Sequence, residues 1–151
     1  MSNPKSISTR SLELDIKSLP LDFLRELFSN ETPASLRSIC ITLVPMANAG
    51  RSDALPMLFG LAYLNRNDLG RMLIIAQSLR LLNHPEVVLF LQSEMLRVPS
   101  TPASRTYLRF ILDSLFQIDT ESSRKALREL LSEKRIGIKY RKQIEDFLYS
   151  C

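Results

Sequence analysis

Several residue types on which metal sites and many catalytic sites depend are scarce in this chain of 151 residues. It has one histidine, His84, two cysteines, Cys40 and Cys151, and no tryptophan. A structural zinc site usually needs four Cys or His ligands, so these three distant residues cannot assemble one. A disulfide framework is not indicated either, because Cys40 lies in an apolar stretch and Cys151 is terminal. We therefore expect neither a metal nor a cofactor.

Glycine is also rare, and the hydrophobic runs are short. The four glycines are dispersed and none precedes a Lys-Ser or Lys-Thr pair, which excludes a phosphate-cradling loop. The longest apolar run, Met57–Leu64, is far shorter than the roughly 20 residues that a membrane helix needs. The first ten residues are polar and no apolar core follows them. We therefore expect no membrane insertion, no secretory signal and a cytoplasmic location.

Leucine is what the chain has in abundance. It occurs 27 times, against four valines, and this excess predicts helices rather than a sandwich or barrel of strands. Apolar residues recur at helical spacing from position 20 onward, whereas residues 1–18 are polar and rich in serine. The sequence thus predicts an all-α protein with a loosely ordered N-terminal tail over residues 1–18 and a single helical domain over residues 19–151.

The helices recur with a fixed step. Starts are predicted near Pro33, Asp68, Ala103 and Ile138, which are 35 residues apart each time. The tetrapeptide Thr-Pro-Ala-Ser opens two of them, at 32–35 and 101–104, with Thr as the N-cap and Pro in the first turn. Asp53 and Asp68 are expected to cap two further helices, and Gly50 to end one. A period of this length is typical of a solenoid.

An arginine also follows the period. It stands in the first turn of each of the four helices, as Arg37, Arg71, Arg105 and Arg141. One interpretation is a row of guanidinium groups for an anionic ligand. The alternative is a structural ladder, in which each arginine bonds a carboxylate or a free helix-end carbonyl of its neighbour. The regular spacing favours the structural alternative, because a ladder that repeats with the fold most simply serves the fold.

The residues between the arginines follow a further repeated pattern. In this pattern an arginine is followed by an apolar stripe, a turn, a leucine pair and the next arginine. One copy of it is Ser104-Arg105, Ile111-Leu112-Asp113-Ser114-Leu115, Asp119, Ala126-Leu127-Arg128-Glu129-Leu130-Leu131 and Arg141. This pattern resembles the HEAT-like family of α-solenoid repeats over about residues 20–150. The resemblance implies a right-handed α-solenoid of about four helical hairpins. It also implies a non-catalytic adaptor or scaffold that binds a protein partner by its concave surface.

Another repeat family is the alternative. Gly60-Leu61-Ala62-Tyr63, then Asn67-Asp68 and Pro85, is similar to one unit of tetratricopeptide repeats, but the match does not recur in the next hairpin. Both families stack hairpins that share one core and leave a concave surface. The second helices of the hairpins, near Asp53–Leu64, Pro85–Leu96 and Ser122–Ser132, would line that surface.

Basic residues are concentrated near the C-terminus. Between positions 124 and 142 they outnumber acidic ones eight to two. A candidate anionic-partner patch comprises Arg124, Lys125, Arg128, Lys134, Arg135, Lys139 and Lys142. Such a patch would bind phosphates or an acidic peptide. The alternative is an ordinary solvated surface, which the absence of interleaved aromatic residues favours.

The sequence contains no arrangement that predicts catalysis. His84 stands in Asn-His-Pro, where turn formation explains it better than a role as a base beside a nucleophile. Three functional classes stay open. The first is the protein-binding adaptor; the second is a nucleic-acid or anionic-ligand binding module that uses the basic patch; the third is a regulatory subunit of an enzyme complex.

Overall fold

The computed structural model describes residues 33–82 and 84–150. That part of the chain consists of seven α-helices and one short 3-10 helix, without any strand, which confirms the all-α prediction. The predicted tail over 1–18, the helix expected after Pro20, the Thr32 cap, and Asn83 and Cys151 lie outside the described residues.

The helices begin where the period predicts. The four predicted starts correspond to α1, α3, α5 and α7, and a 3-10 helix directly precedes α5. In chain order the elements are α1 (Pro33–Asn48), α2 (Ala54–Leu64), α3 (Leu69–Leu79), α4 (Pro85–Arg97), the 3-10 helix (Pro102–Ser104), α5 (Arg105–Ile118), α6 (Glu121–Leu131) and α7 (Ile138–Tyr149).

The described residues divide into two compact units, residues 33–82 and 84–150. In the first unit α1 packs against both α2 and α3, and α2 also contacts α3. The most deeply buried side chains between these helices are apolar and come from all three: Leu36, Cys40, Leu58, Leu61, Met72, Ile75 and Leu79. Helix α1 thus contacts α3, which begins about one period later.

Gly50 ends α1, as predicted. Its φ of +93° lies in the left-handed region, which glycine adopts without steric cost. The N–H of Gly50 donates to the Ala47 carbonyl at 3.0 Å, and the N–H of Arg51 donates to the Met46 carbonyl at 3.0 Å. These two bonds form a Schellman motif, which satisfies carbonyls that the end of the helix leaves open.

Asp53 does not cap α2 as predicted. It stands at the N-cap position, but its backbone is helical (φ −95°, ψ −13°) and its side chain makes no capping hydrogen bond. A capping side chain needs an extended backbone to fold over the first N–H groups of the helix. The carboxylate is buried instead, with its Oδ1 3.6 Å from Nε of Arg51. The prediction for this residue was therefore wrong.

In the second unit α4 packs against α5 and α6, α5 packs against α6, and α6 packs against α7. A continuous set of leucine and isoleucine side chains fills the space between them: Leu91, Leu108, Ile111, Leu112, Leu115, Leu127, Leu130 and Ile144. Again a helix contacts its equivalent one period later, since α4 and α6 are the second helices of successive predicted hairpins. The solenoid as a whole and the single domain over 19–151 stay predictions.

The starts of α3, α4, the 3-10 helix and α6 are capped by side chains, whereas α7 begins at Gly137 without a side-chain cap. Asp68 Oδ1 accepts the N–H of Arg71 at 3.1 Å, and His84 Nδ1 accepts the N–H of Glu86 at 3.1 Å. Thr101 and Thr120 each open a capping box, with Ser104 and Ser123 as the reciprocal partners. The predicted caps Asp68 and Thr101 are thus confirmed. His84 acts as the N-cap of α4, in keeping with its interpretation as a turn residue.

Ser104 is expected to contribute measurably to stability. Its hydroxyl accepts the Thr101 N–H at 2.9 Å and donates to the Pro99 carbonyl at 2.6 Å, and it is buried. Ser104→Ala should lower the free energy of unfolding by about 1 kcal/mol, because a capping donor loses its acceptor. Urea unfolding followed by circular dichroism measures the change. Ser122→Ala, at an exposed position of α6, is the control and should stay within about 0.5 kcal/mol.

Candidate functional site

The seven cations of the predicted patch lie on three elements of the second unit. Arg124, Lys125 and Arg128 stand on α6, Lys134 and Arg135 in the turn after it, and Lys139 and Lys142 on α7. Arg124 is half-buried and the other six are exposed. Seven residues separate Arg124 from the end of α6 at Leu131, which is about 10 Å along the helix axis, and Lys134 lies beyond that end. The structure therefore places the cations around α6 and α7 rather than at one point.

Arg124 is engaged within the fold. Its Nε donates to Asp119 Oδ1 at 2.7 Å, and its guanidinium lies 4.8 Å from the centre of the Phe147 ring. The Phe147 ring also stacks on the ring of Phe116, with the two ring centres 4.6 Å apart. Cation and ring are attracted electrostatically in this geometry. Arg124 thus links the start of α6 to α5 and α7, which a sequence pattern of basic residues does not reveal.

The other six cations divide by whether they have a partner. Nη1 of Arg135 donates to the Leu96 carbonyl at 3.0 Å, and Lys142 Nζ lies 3.9 Å from Asp146 Oδ2. The remaining four have no ion pair or hydrogen bond to any residue within 33–82 and 84–150: Lys125, Arg128, Lys134 and Lys139. An exposed pair such as Lys142–Asp146 contributes little to stability.

The four periodic arginines differ in their surroundings. Arg141 donates to the carbonyls of Leu131, Glu133 and Ile136, and so binds the end of α6 and the turn that follows. Arg71 Nε lies 3.7 Å from Asp68 Oδ2, the cap of its own helix. Arg37 and Arg105 are exposed, and neither hydrogen-bonds within the described part of the chain. The equal spacing of these arginines does not give them equal environments.

A cleft of about 390 Å³ opens between the end of α4 and the start of α7. Its walls are the loop after α4, the beginning of α5 and the turn between α6 and α7. Most of the lining side chains are apolar, and the charged ones are both arginines: Met95, Leu96, Arg97, Val98, Pro99, Ser100, Leu108, Arg135, Ile136, Gly137 and Tyr140. This size and lining are typical of ligand-binding clefts.

A buried carboxylate positions one of the two arginines. The side chain of Glu94 is 6% exposed, and its two oxygens accept Nε and Nη2 of Arg97 at 2.8 and 2.7 Å. The buried hydroxyl of Tyr107 donates to Oε1 of Glu94 at 2.6 Å. A two-bond fork of this kind holds a guanidinium in one plane. Arg97 is thus held rigidly in the cleft by groups from α4 and α5.

The network changes the acid–base properties of two of its members. Burial, followed by the hydrogen bond to the Glu94 carboxylate, raises the pKa of Tyr107 above that of an exposed phenol. The hydrogen bond from Arg97 to Glu94 raises the pKa of Arg97, against the opposing effect of partial burial. Tyr107 therefore stays protonated and Arg97 stays charged at neutral pH.

The sequence-based predictions do not include this network. Glu94 lies three residues after Leu91 and directly before Met95, so it shares the apolar side of α4. A charged residue on an apolar stripe, followed by an arginine three positions later, is a signal that could have identified the pair. The tyrosine on α5 could not have been found in this way, because it meets Glu94 only through the packing of two helices.

Comparisons with family models, with curated proteins and with solved structures found no match to this chain. The described residues form helices without any strand, and they enclose a mostly apolar cleft that carries two arginines. Within residues 33–82 and 84–150, no helix combines the length and hydrophobicity that a membrane span requires. The same residues contain no group of three side chains suited to holding a metal ion.

Proposed function

We propose that the protein is a non-catalytic adaptor of HEAT-like architecture, which binds a protein partner through the second helices of its hairpins. In this proposal the helices stack as a right-handed solenoid, and the protein works in the cytoplasm. The partner contacts the exposed sides of α4 and α6, which belong to one compact unit.

One observation carries the proposal: two successive second helices pack side by side. Helix α4 contacts α6, and Gln92 joins them through hydrogen bonds to the Ala126 carbonyl at 3.3 Å and to Glu129 Oε1 at 2.9 Å. Contact between equivalent helices of neighbouring hairpins is the basis of solenoid stacking. It supports a continuous surface formed by second helices.

An exposed leucine lies on this surface. Leu89 of α4 is 60% exposed, whereas Val88 and Leu91 on the other side of the helix are buried. The neighbouring helix α6 presents the exposed cations Lys125 and Arg128. Interfaces combine apolar residues at the centre with a polar rim, so an exposed leucine on α4 and exposed cations on the adjacent α6 suit a protein partner.

The proposal predicts that Leu89 is essential for partner capture. Leu89→Asp should weaken binding at least tenfold, because it places a carboxylate in the apolar centre of the interface. The matched control is Ile41→Asp on the first helix α1, where the wild-type side chain is 62% exposed. Affinity capture from the native cell with mass spectrometry identifies the partner. Quantitative binding of the two variants then tests the surface, and equal binding by both would contradict the proposal.

Nuclease treatment and the salt dependence of binding distinguish the adaptor function from nucleic-acid binding. A protein partner should be captured equally before and after nuclease. If nucleic acid is the partner, capture is lost with nuclease, and affinity falls steeply with salt. The double variant Lys125→Ala, Arg128→Ala would then weaken binding further, since these exposed cations would contact phosphates. That set of results would replace the adaptor proposal with the nucleic-acid alternative.

A further inference from the structure

The cleft between the end of α4 and the start of α7 carries two guanidinium groups and no carboxylate. Arg97 and Arg135 are the charged residues of its lining. Glu94, which neutralises Arg97, lies behind it in the protein interior and does not line the cleft. The local charge is therefore complementary to an anion.

Both arginines keep hydrogen-bond donors available. Arg97 uses Nε and Nη2 for Glu94 and also interacts with the Tyr107 hydroxyl, but its side chain is still 36% exposed. Arg135 uses Nη1 for the Leu96 carbonyl, and its Nε and Nη2 have no acceptor among the residues that the structure describes. A guanidinium has five N–H donors in a fixed fork, so each arginine can bind an oxyanion without releasing its present partner.

The rest of the lining is suited to an apolar group. The accessible apolar surface of the lining comes from Leu96, which is half-buried, and Pro99, which is exposed. Tyr140 adds a half-buried ring and a hydroxyl group. An inorganic anion would leave this apolar surface uncovered, whereas a molecule with a charged end and an apolar body would cover it.

We propose that this cleft binds a carboxylate that is joined to an apolar group. The carboxylate contacts the guanidinium groups of Arg97 and Arg135, and the apolar group lies against Leu96 and Pro99. Such a ligand is either a free organic acid or the C-terminal residue of a peptide. The site is separate from the surface around Leu89, so it goes beyond the proposed adaptor function.

The test is a titration of the full chain by two-dimensional NMR with 4-phenylbutyrate as the probe. The amide signals of Ser100, Ile136 and Gly137 should shift saturably with a dissociation constant in the low millimolar range, as suits so small a ligand. Acetate lacks the apolar body and 4-phenylbutanol lacks the charge, so each should bind at least tenfold more weakly. Equal binding by 4-phenylbutanol, or no saturation by 4-phenylbutyrate, would overturn the proposal.

Two variants test whether Arg135 and Arg97 contact the carboxylate of the probe. Arg135→Gln should weaken 4-phenylbutyrate about tenfold, since a charge-assisted hydrogen bond is lost. Arg97→Lys keeps a cation beside Glu94 but removes the planar fork, and should weaken binding similarly. Arg128→Gln is the matched control, because it removes the same charge from an exposed position outside the cleft and should leave the affinity unchanged. If Arg135→Gln binds as tightly as Arg128→Gln, the proposal fails.

A second probe distinguishes the two sources of the ligand. N-acetyl-alanyl-phenylalanine carries a carboxylate and an aromatic group on a peptide backbone. If it binds more tightly than 4-phenylbutyrate, with the same dependence on Arg135, the ligand is a peptide C-terminus. If 4-phenylbutyrate binds more tightly, the ligand is a free organic acid. Both results support the cleft as a carboxylate site.

Discussion

Arg97→Leu is expected to lower the free energy of unfolding by about 2–3 kcal/mol. The substitution leaves the Glu94 carboxylate buried with only the Tyr107 hydroxyl as a partner. Removing one member of a fully buried ion pair costs about 3–5 kcal/mol. The Arg97 side chain is 36% exposed, so water partly solvates the pair and the cost is expected below that range. Urea unfolding at pH 7 measures it.

A combined variant tests the cause of this loss. Replacing the whole network, as Glu94→Leu, Arg97→Leu and Tyr107→Phe, removes every buried polar group that would be left unpaired. Apolar replacement of a complete buried network is often close to neutral. The triple variant should therefore recover most of the stability that Arg97→Leu loses. A triple variant as unstable as the single one would show that the cost does not come from the orphaned carboxylate.

Tyr107→Phe is expected to lower the free energy of unfolding by about 2 kcal/mol at pH 8. The hydroxyl donates to the charged Glu94 at 2.6 Å, and hydrogen bonds to charged groups contribute about 1.5–3 kcal/mol. The phenylalanine ring occupies the same space in the buried site, so the loss should come from the hydrogen bond alone. Urea unfolding against the wild type measures it.

The effect of Tyr107 should also depend on pH. Because burial and the Glu94 carboxylate raise the pKa of Tyr107 in the folded state, the folded protein keeps this proton when the unfolded chain releases it near pH 10. Unfolding then releases a proton, so the stability that Tyr107 contributes is present below pH 10 and falls as pH rises above it. The advantage of wild type over Tyr107→Phe should shrink by about 1 kcal/mol between pH 10 and 11, because half of the unfolded phenol is already ionised at pH 10.

Tyr149→Phe is the control for this pH dependence. Tyr149 is 65% exposed at the end of α7, and it has no hydrogen-bond partner within the described ranges 33–82 and 84–150. Its replacement also removes one phenol but should leave the fall of stability above pH 10 as steep as in the wild type. If Tyr107→Phe and Tyr149→Phe lose stability equally steeply above pH 10, the pH dependence does not come from the buried network.

Helix positions could be predicted from the sequence because their signals are local. A cap such as Asp68 or Thr120 acts on N–H groups within three residues, and Gly50 acts on carbonyls within five. Asp53 shows the limit of this approach. The same residue type in the same position is drawn into a buried contact with Arg51, because the local backbone is helical rather than extended.

The candidate site could not be predicted in the same way. The residue pairs that form it are far apart in the sequence, as with Arg135 and Leu96, or they lie on different helices, as with Tyr107 and Glu94. A count of charges treats Arg124 and Arg135 alike. The structure places the first on the ring of Phe147 and the second at the edge of a cleft.

The amino-acid sequence by itself determined the helices, their order and their 35-residue step, since leucine spacing and caps act within a few residues. Its lack of histidine, cysteine and glycine clusters also argued against a structural zinc site and a phosphate-cradling loop. Only the tertiary structure decided which charged residues are buried, paired or free. The physical reason is that the free energy of a charge depends on the solvent and partners around it, and helix packing brings those partners from positions far apart in the chain.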